Sequence, residues 1–304
     1  MKNIRFVFTM ALFAAVLAMT TSCEKANMSD ITGKAVGEPN LVLRVVTTGN
    51  EAMTRADGKT AWNRLCFIVY QNGQKVKGVN QKEGDNGYGQ AELTLEAGTY
   101  QVLVLAHSSD GNPTTTAAEK IQFTNAMGFT DTFYYYGIIS VTGQKQTHNI
   151  TLNRVTALLR FIINDDIPAT VTNLKFYYTG GSGALNATTG FGCVDSKQTV
   201  IKVLDHETMT KPCSFDLYTI PKEPTAKLNL TVTAYDEAQT VLYERSFKGI
   251  DVQVNRITEF SGDFFTTNPT PGGEDPQGGE ETAGNDIFMI SANTEWAGVI
   301  TQTY

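Results

Sequence analysis

Short runs in which apolar and polar residues alternate recur along this chain, and they decide its fold class. Examples are LVLRVVTT (41–48), FDLYTIP (215–221) and KLNLTVTAYD (227–236), all lying close to Gly, Asn, Asp or Pro. Successive side chains of a strand point to opposite faces, so an alternating run indicates a half-buried strand. Long stripes with the 3.6-residue period of an amphipathic helix are absent from the sequence. The sequence therefore predicts an all-β protein.

The spacing of these runs and of the turn signals between them predicts the domain organisation. Strands of about five to eight residues that recur every 8–12 residues are typical of β-sandwiches. We expect two sandwiches in tandem, at 40–152 and 153–266, without a linker between them. The stretch 109–136 is irregular, and we expect a short helix near Thr116–Lys120.

The N-terminus has the pattern of a secretory signal. Lys2 and Arg5 precede the apolar run Phe6–Met19, which is too short for a comfortable membrane span. The run is followed by Ser22-Cys23, which predicts a lipoprotein signal peptide at 1–22 and acylation, for example with palmitate, of Cys23. Residues 23–39 would then form a linker. The alternative is ordinary signal cleavage beside an incidental cysteine.

The net charge argues against nucleic acid as a partner, and the cysteine positions leave the formation of a disulfide open. The net charge is −7 with both signs interspersed, which argues against nucleic acid as a partner. Cys66 lies in an apolar run and reads as a small buried residue. Cys193 and Cys213 lie twenty residues apart in an exported chain, so a disulfide between them stays open. The cysteine spacings do not resemble a zinc site.

Signals of catalysis are weak, and we predict neither an enzyme nor a cofactor or metal site. The chain has three histidines, none in an HExxH motif, and no G-x-S-x-G nucleophile elbow. His107 ends a predicted strand, where we expect it to be solvated. Asp165-Asp166 could be a metal or acid pair, but a turn after a strand explains them better. FYYYG (133–137) and Trp62 are the candidates for an aromatic platform that stacks on sugars.

An apolar alternating segment stands at the C-terminal end behind a Pro-, Gly- and acid-rich tether at 267–286. In the segment 287–304 most large apolar residues have even numbers, among them Phe288, Ile290, Trp296 and Ile300. One strand face of this kind fits a groove in another subunit, which makes 287–304 a candidate donor strand. The alternatives are that the segment completes its own second domain or stays disordered.

Several quoted stretches resemble one family. They are the start TSCEK (21–25), the loop MTRADG (53–58), GTYQVLVLAHS (98–108), NRVTALLRFIIND (153–165) and VNRITEFSGDFF (254–265). The last carries Arg256, Thr258, Gly262 and Phe265 at the expected spacing. Over about 23–266 the chain is similar to the FimB-type fimbrial anchor and accessory subunits, which are fimbrillin-related lipoproteins of type V pili.

The resemblance implies two tandem transthyretin-like β-sandwich domains in a subunit of a cell-surface fimbria. It implies a lipid-anchored base or accessory subunit at the outer membrane, exposed on the cell surface and joined to other fimbrial subunits by strand donation. The competing expectation is a tip adhesin or a surface lipoprotein that binds a host ligand or glycan.

The family resemblance also bears on proteolytic cleavage of the chain. Stalk members are cut after an Arg that follows the first strand. Arg55 in its polar loop is a better candidate for such a cut than Arg44, which lies inside a strand pattern. An anchor should remain uncut, because cutting would release it from its lipid, and we favour the uncut form.

The first prediction concerns Cys23. Metabolic labelling with a fatty-acid analogue should mark the protein, and Cys23→Ala should abolish the mark, because the acylated sulfur is then missing. Cys66→Ala serves as the control and should leave labelling unchanged. Labelling that survives Cys23→Ala would rule out this lipid site.

Overall fold

The structure is a computed structural model that describes residues 37–46, 62–123, 129–266 and 296–304. Within these ranges the regular elements are β-strands, which confirms the all-β prediction. None of the described residues belongs to a helix long and apolar enough to span a membrane. Four predicted site residues, Cys23, Arg55, Phe288 and Ile290, lie outside the described residues.

The strands are numbered in chain order. The first ten are β1 (Leu41–Val45), β2 (Arg64–Gln71), β3 (Gln74–Lys82), β4 (Gln90–Leu93), β5 (Gly98–His107), β6 (Thr114–Ala117), β7 (Lys120–Gln122), β8 (Phe133–Val141), β9 (Gln146–Ile150) and β10 (Asn153–Arg154). The others are β11 (Ala157–Ile163), β12 (Asn173–Thr179), β13 (Ala184–Asn186), β14 (Phe191–Gly192), β15 (Gln198–Val203), β16 (Cys213–Thr219), β17 (Thr225–Tyr235), β18 (Val241–Gln253), β19 (Ile257–Gly262) and β20 (Val299–Thr303).

The same seven-strand connectivity occurs twice along the chain. In the first half, sheet β4-β1-β9 accompanies a sheet that contains β8-β5-β2-β3. In the second half, β16-β11-β19 accompanies β18-β17-β12-β15. The central strand of each smaller sheet, β1 or β11, pairs antiparallel with one neighbour and parallel with the other. This repeat supports two tandem sandwiches. The boundary between 152 and 153 and the transthyretin-like assignment stay proposals.

A fifth sheet, β14-β13-β7-β6, takes strands from both halves of the chain. Its hairpin β6–β7 occupies the place where the sequence predicted a short helix near Thr116–Lys120, so that prediction is wrong. The Thr-rich run TTTA suits a strand, since β-branched residues favour one. Tertiary contacts hold the hairpin in place: Tyr70 donates to the carbonyl of Thr115 at 2.9 Å, and β7 pairs with β13.

This fifth sheet explains why β2 and β5 are apolar on both faces. One face of β2 lies in the first core with Phe67 and Val69, while Cys66 and Ile68 lie in a further apolar cluster with Ile121 of β7 and Leu185 of β13. A strand covered on both sides reads as a continuous apolar run. The second half has its own core, in which Phe161 and Phe176 are fully buried.

The predicted carboxylate pair Asp165-Asp166 splits into two different roles. The carboxylate of the buried Asp165 accepts hydrogen bonds from the backbone N–H groups of Phe264, Phe265 and Thr266 at 2.8, 2.6 and 2.7 Å. The exposed Asp166 pairs with Lys211 at 3.1 Å. Asp165 thus closes the end of the second core, and a structural role after the strand accounts for it. Burial alone would raise its pKa, but the three N–H bonds together lower the pKa below its usual range.

We predict that Asp165→Asn lowers the free energy of unfolding by about 2 kcal/mol at pH 7, since charged hydrogen bonds are lost. Because the folded pKa is depressed, this contribution is present above the unfolded value of about 3.9 and disappears as pH falls through the folded value. Urea unfolding at pH 7 and pH 3 measures it. Asp166→Asn is the matched control, with an expected change below about 1 kcal/mol. Equal effects of the two variants at pH 7 would contradict the assignment.

Candidate functional site at the C-terminal strand

Strand β20 lies at the edge of the second-half sheet, parallel to β19 of the same chain. Its register pairs Ile300 with Thr258 and Gln302 with Phe260. Backbone bonds extend the pairing at both ends, from Ala297 N to Asn255 O at 2.9 Å and from Tyr304 N to the carbonyl of Ser261 at 2.9 Å. Residues paired across a sheet share a face, so the even-numbered side chains of β20 face inward with Thr258 and Phe260.

Tyr304 enters an aromatic box in the second core. Its ring stacks on Phe161 with 4.9 Å between centroids, and it contacts Phe247 and Phe260 at 4.8 Å each. The hydroxyl donates to the carbonyl of Ile162 at 2.8 Å. Burial raises the pKa of Tyr304, so the phenol stays protonated and keeps this hydrogen bond. An apolar ring with a satisfied polar tip is a strong anchor for an extended segment.

Gly262 makes room for that anchor. A Cβ added at Gly262 would lie 2.6 and 2.7 Å from the Cδ2 and Cε2 ring atoms of Tyr304 and would also meet its backbone carbonyl. Such distances are too short for any side chain. The glycine is therefore required by the close approach of β20, and this explains why VNRITEFSGDFF carries a glycine at a strand end.

Trp296 anchors the other end of the segment on a buried arginine. The guanidinium of Arg154 lies 3.7 Å from the Trp296 ring centroid, and Tyr218 stacks beside it at 6.5 Å. Arg154 also lies over Phe133 at 4.5 Å. A cation over an indole face contributes about 0.5–2 kcal/mol, more when it is desolvated.

The same arginine also donates hydrogen bonds to a carboxylate and to an amide side chain. Its Nε and Nη2 donate to Asp131 at 2.8–3.1 Å, and its Nη1 donates to Asn255 at 2.9 Å. Asp131 accepts a further bond from Thr156 at 2.9 Å. Both side chains of the pair are 5% exposed, and removing one partner of such a pair typically costs about 3–5 kcal/mol. Arg154 thereby ties Asp131 before β8, Asn255 before β19 and the tail together.

Two of the candidate donor-strand residues, Trp296 and Ile300, lie within the described residues. Trp296 and Ile300 belong to the even-numbered set that faces the body of the protein, whereas Ala297, Thr301 and Thr303 are exposed. The strand they approach is β19 of their own chain, as in the self-completion alternative. Donation to a neighbour stays a prediction. The other candidate cleavage residue, Arg44, is exposed in β1 and donates to Gln90 at 2.9 and 3.1 Å.

The aromatic residues considered for glycan stacking do not form an exposed platform among the described residues. Trp62 is 7% exposed and packs edge-on against Phe133 with 5.1 Å between centroids. Tyr134 and Tyr136 pack against the cluster under the fifth sheet, and Tyr135 packs against the first core. These rings serve packing.

Sequence reasoning missed a buried pair, Cys66 and His107. The expectation of a solvated His107 is wrong, because the side chain is fully buried at the end of β5 and Phe123 packs edge-on against it. Cys66 Sγ lies 3.7 Å from His107 Nε2. Burial raises the pKa of the Cys66 thiol to about 12 and lowers the pKa of His107 to about 4. Both groups are therefore neutral near pH 7, and the pair lacks the thiolate that a nucleophile needs.

Among the described residues, the other cysteines form no disulfide and no metal site is present. Cys193 and Cys213 are free thiols, so the disulfide left open by their spacing is not formed. Within the described ranges no three His, Cys, Asp or Glu side chains gather as a metal site would require.

Comparison with known proteins identifies the family. Residues 35–285 match the family described as fimbrillin-A associated anchor proteins Mfa1 and Mfa2. The chain belongs to this family. It is therefore a structural subunit of a cell-surface fimbria, and its partners are other fimbrial components. The match confirms the resemblance drawn from the quoted stretches.

Solved structures of distant proteins were also found. The fimbrial anchor protein Mfa2 of Porphyromonas gingivalis is 14% identical, with 67% of this chain and 80% of that chain covered and a TM-score of 0.39. The tip fimbrial protein Mfa3 of the same organism is 13% identical, with 75% and 95% covered and a TM-score of 0.36. A candidate polysaccharide-binding protein of Bacteroides thetaiotaomicron is 15% identical, with 68% and 80% covered and a TM-score of 0.45. A search of the curated proteins found no match.

We predict that Gly262→Ala expels Tyr304 from its box and lowers the free energy of unfolding by about 2 kcal/mol, the worth of one buried aromatic ring. Urea unfolding measures the change. Gly143→Ala is the control, because a Cβ there meets nothing within 4 Å. In a chain lacking 296–304, Gly262→Ala should cost much less, since the two changes are coupled. An undiminished cost in that background would contradict the role given to Gly262.

Proposed function

We propose that this chain is the lipid-anchored base subunit of its fimbria. Acyl chains on Cys23 would hold it at the outer membrane, and its C-terminal strand would join it to the neighbouring subunit. The observation that carries the proposal is the family match, whose members are described as anchor proteins. The signal pattern ending at Cys23 would supply the membrane attachment that an anchor needs.

The position of β1 supports an uncut anchor. The strand lies in the middle of its sheet, between β4 and β9, and Leu41 and Leu43 are fully buried in the first core. A lipid on Cys23 would thus be connected within about 18 residues to a strand that the first core holds firmly. Cutting after Arg55 would separate this strand and the lipid from everything that follows. The anchor function therefore requires the bond after Arg55 to remain intact.

The tail supports the joining role through its sequence and its contacts. Its anchors Trp296 and Tyr304 lie eight residues apart on one strand face, which is a recognition pattern suited to an extended segment along a sheet edge. In strand donation the segment would leave β19 of its own chain and pair with a neighbouring subunit. Specificity would come from the aromatic anchors and affinity from the backbone bonds.

The test is mass spectrometry of the protein taken from outer membranes. We expect an acylated N-terminal Cys23 peptide and a peptide that runs unbroken through Arg55, because an anchor keeps β1 and its lipid. Arg55→Ala should leave the size and the membrane attachment of the protein unchanged. A chain that begins chiefly at Ala56 would overturn the anchor and indicate a polymerised subunit.

A further inference from the structure

Each repeated set of seven strands has its first strand beside its last, and the two run in the same direction. In the first half β1 pairs in parallel with β9, and in the second half β11 pairs in parallel with β19. The chain therefore enters each set at one end of such a pair and leaves it at the opposite end. A pull on the two ends of either set acts along the strands in opposite directions, which is a shear load on the pair.

Shear is the direction in which a pair of strands resists best. The hydrogen bonds of a parallel ladder are evenly spaced along the pair, so a force along the strands loads all of them together. A force across the pair instead opens the bonds one after another from the end that is pulled. Forced unfolding is governed by the unfolding rate, so a pair whose bonds must break together withstands the higher force.

Backbone hydrogen bonds close both ladders at their two ends. In each bond an amide of one strand, or of a residue beside it, donates to a carbonyl of the other strand at 2.9–3.1 Å. These bonds run from Gln146 to Asn40, from Val46 to Ile150, from Leu158 to Arg256 and from Asn164 to Gly262.

The side chains of the first strands add a second resistance to sliding. Leu41 and Leu43 of β1 are fully buried in the first core, and Phe161 of β11 is fully buried in the second. A slip of one residue turns every side chain of a strand to the other face. On β11 such a slip would turn Arg160 toward the core and away from Asp216, to which it donates at 2.8 and 3.1 Å. Sliding therefore costs apolar burial and an ion pair as well as backbone bonds.

The point where the chain leaves the second set is fastened separately. Asp165 follows the end of β11, and its carboxylate accepts hydrogen bonds from the backbone N–H groups of Phe264, Phe265 and Thr266, which follow β19. Bonds to an ionised acceptor are stronger than neutral ones. A pull on the chain after Thr266 thus reaches these bonds before it reaches the β11–β19 ladder.

We propose that the chain is a tension-bearing connector whose load is carried by two shear-loaded pairs in series, β1–β9 and β11–β19. The lipid on Cys23 would hold the end that leads into β1, and the neighbouring subunit would pull on the chain beyond β19. The proposal deepens the anchor role of the proposed function, from which these two points of load are taken. Resistance to force then depends on the direction of the pull, and not on the free energy of unfolding alone.

Single-molecule force spectroscopy on the full chain without residues 1–23 tests the proposal. Handles are attached to pairs of exposed positions changed to cysteine, in a chain that carries Cys193→Ser and Cys213→Ser. Glu38→Cys with Thr151→Cys places the handles at opposite ends of the β1–β9 pair and shears it. Glu38→Cys with Gln144→Cys places them at the same end of the pair and peels it apart.

We expect the sheared pair to rupture at roughly twice the force of the peeled pair or more, because its bonds must break together. The two chains differ only at one exposed position, so equal melting temperatures show that the direction of the pull is the variable. Equal rupture forces in the two directions would overturn the proposal.

The second pair is tested with handles at Asn153→Cys and Thr266→Cys, both exposed positions at opposite ends of β11–β19. Asn164→Pro removes the N–H that donates to Gly262 and should lower the rupture force in this pull, while leaving the force of the β1–β9 shear unchanged. Asn164→Ala keeps that N–H and is the matched control, with no change expected in either pull. A rupture force that Asn164→Pro leaves unchanged would overturn the role of β11–β19.

The chain used in these measurements lacks Cys23 and its lipid. A negative result in them does not bear on acylation of Cys23 or on the bond after Arg55, which mass spectrometry of the membrane protein tests. Failure of the tension-bearing pairs and failure of the anchor are therefore distinguishable.

Discussion

A buried arginine is the interaction on which the arrangement of this protein depends. Arg154 pairs with Asp131, bonds Asn255 and lies under Trp296, so it joins the end of the first half, the loop before β19 and the tail. A buried ion pair contributes little net stability compared with apolar packing, but it demands correct geometry because each unpaired charge is costly. We interpret Arg154 as the group that specifies how these three parts meet, while the apolar cores supply most of the stability.

The edge of β19 shows how an exposed strand edge can be protected. Free strand edges invite pairing with other chains, and covering them is the usual protection. Here β20 covers the edge, and its fit relies on Gly262, on the aromatic box and on a hydroxyl that finds the Ile162 carbonyl. The same features make the edge selective, since a segment without the two aromatic anchors would gain only backbone bonds. Protection of the edge thus follows from one set of contacts within the chain.

Much of the fold could be predicted from local patterns, and the errors have a common cause. The alternating runs located most strands. The short helix at Thr116–Lys120 and the solvated His107 were wrong because β6–β7 pairs with β13, some sixty residues away in sequence. That pairing covers the outer face of β2 and β5, and Phe123, which follows β7, packs edge-on against His107. The Cys66–His107 pair was missed because residues forty-one positions apart carry no local signal of their contact.

By itself, the sequence determined the all-β class and the family, because both depend on residue spacing along short segments. The tertiary structure alone decided that Asp165 accepts hydrogen bonds from three backbone N–H groups, that Arg154 lies over the Trp296 ring, and that Gly262 lies against Tyr304. It also decided which edge the tail occupies, since an apolar face of a strand specifies that it must be covered but not by which partner. The physical reason is that periodicity encodes a direction for each side chain, whereas its neighbour across a sheet is chosen by long-range pairing among many similar strands.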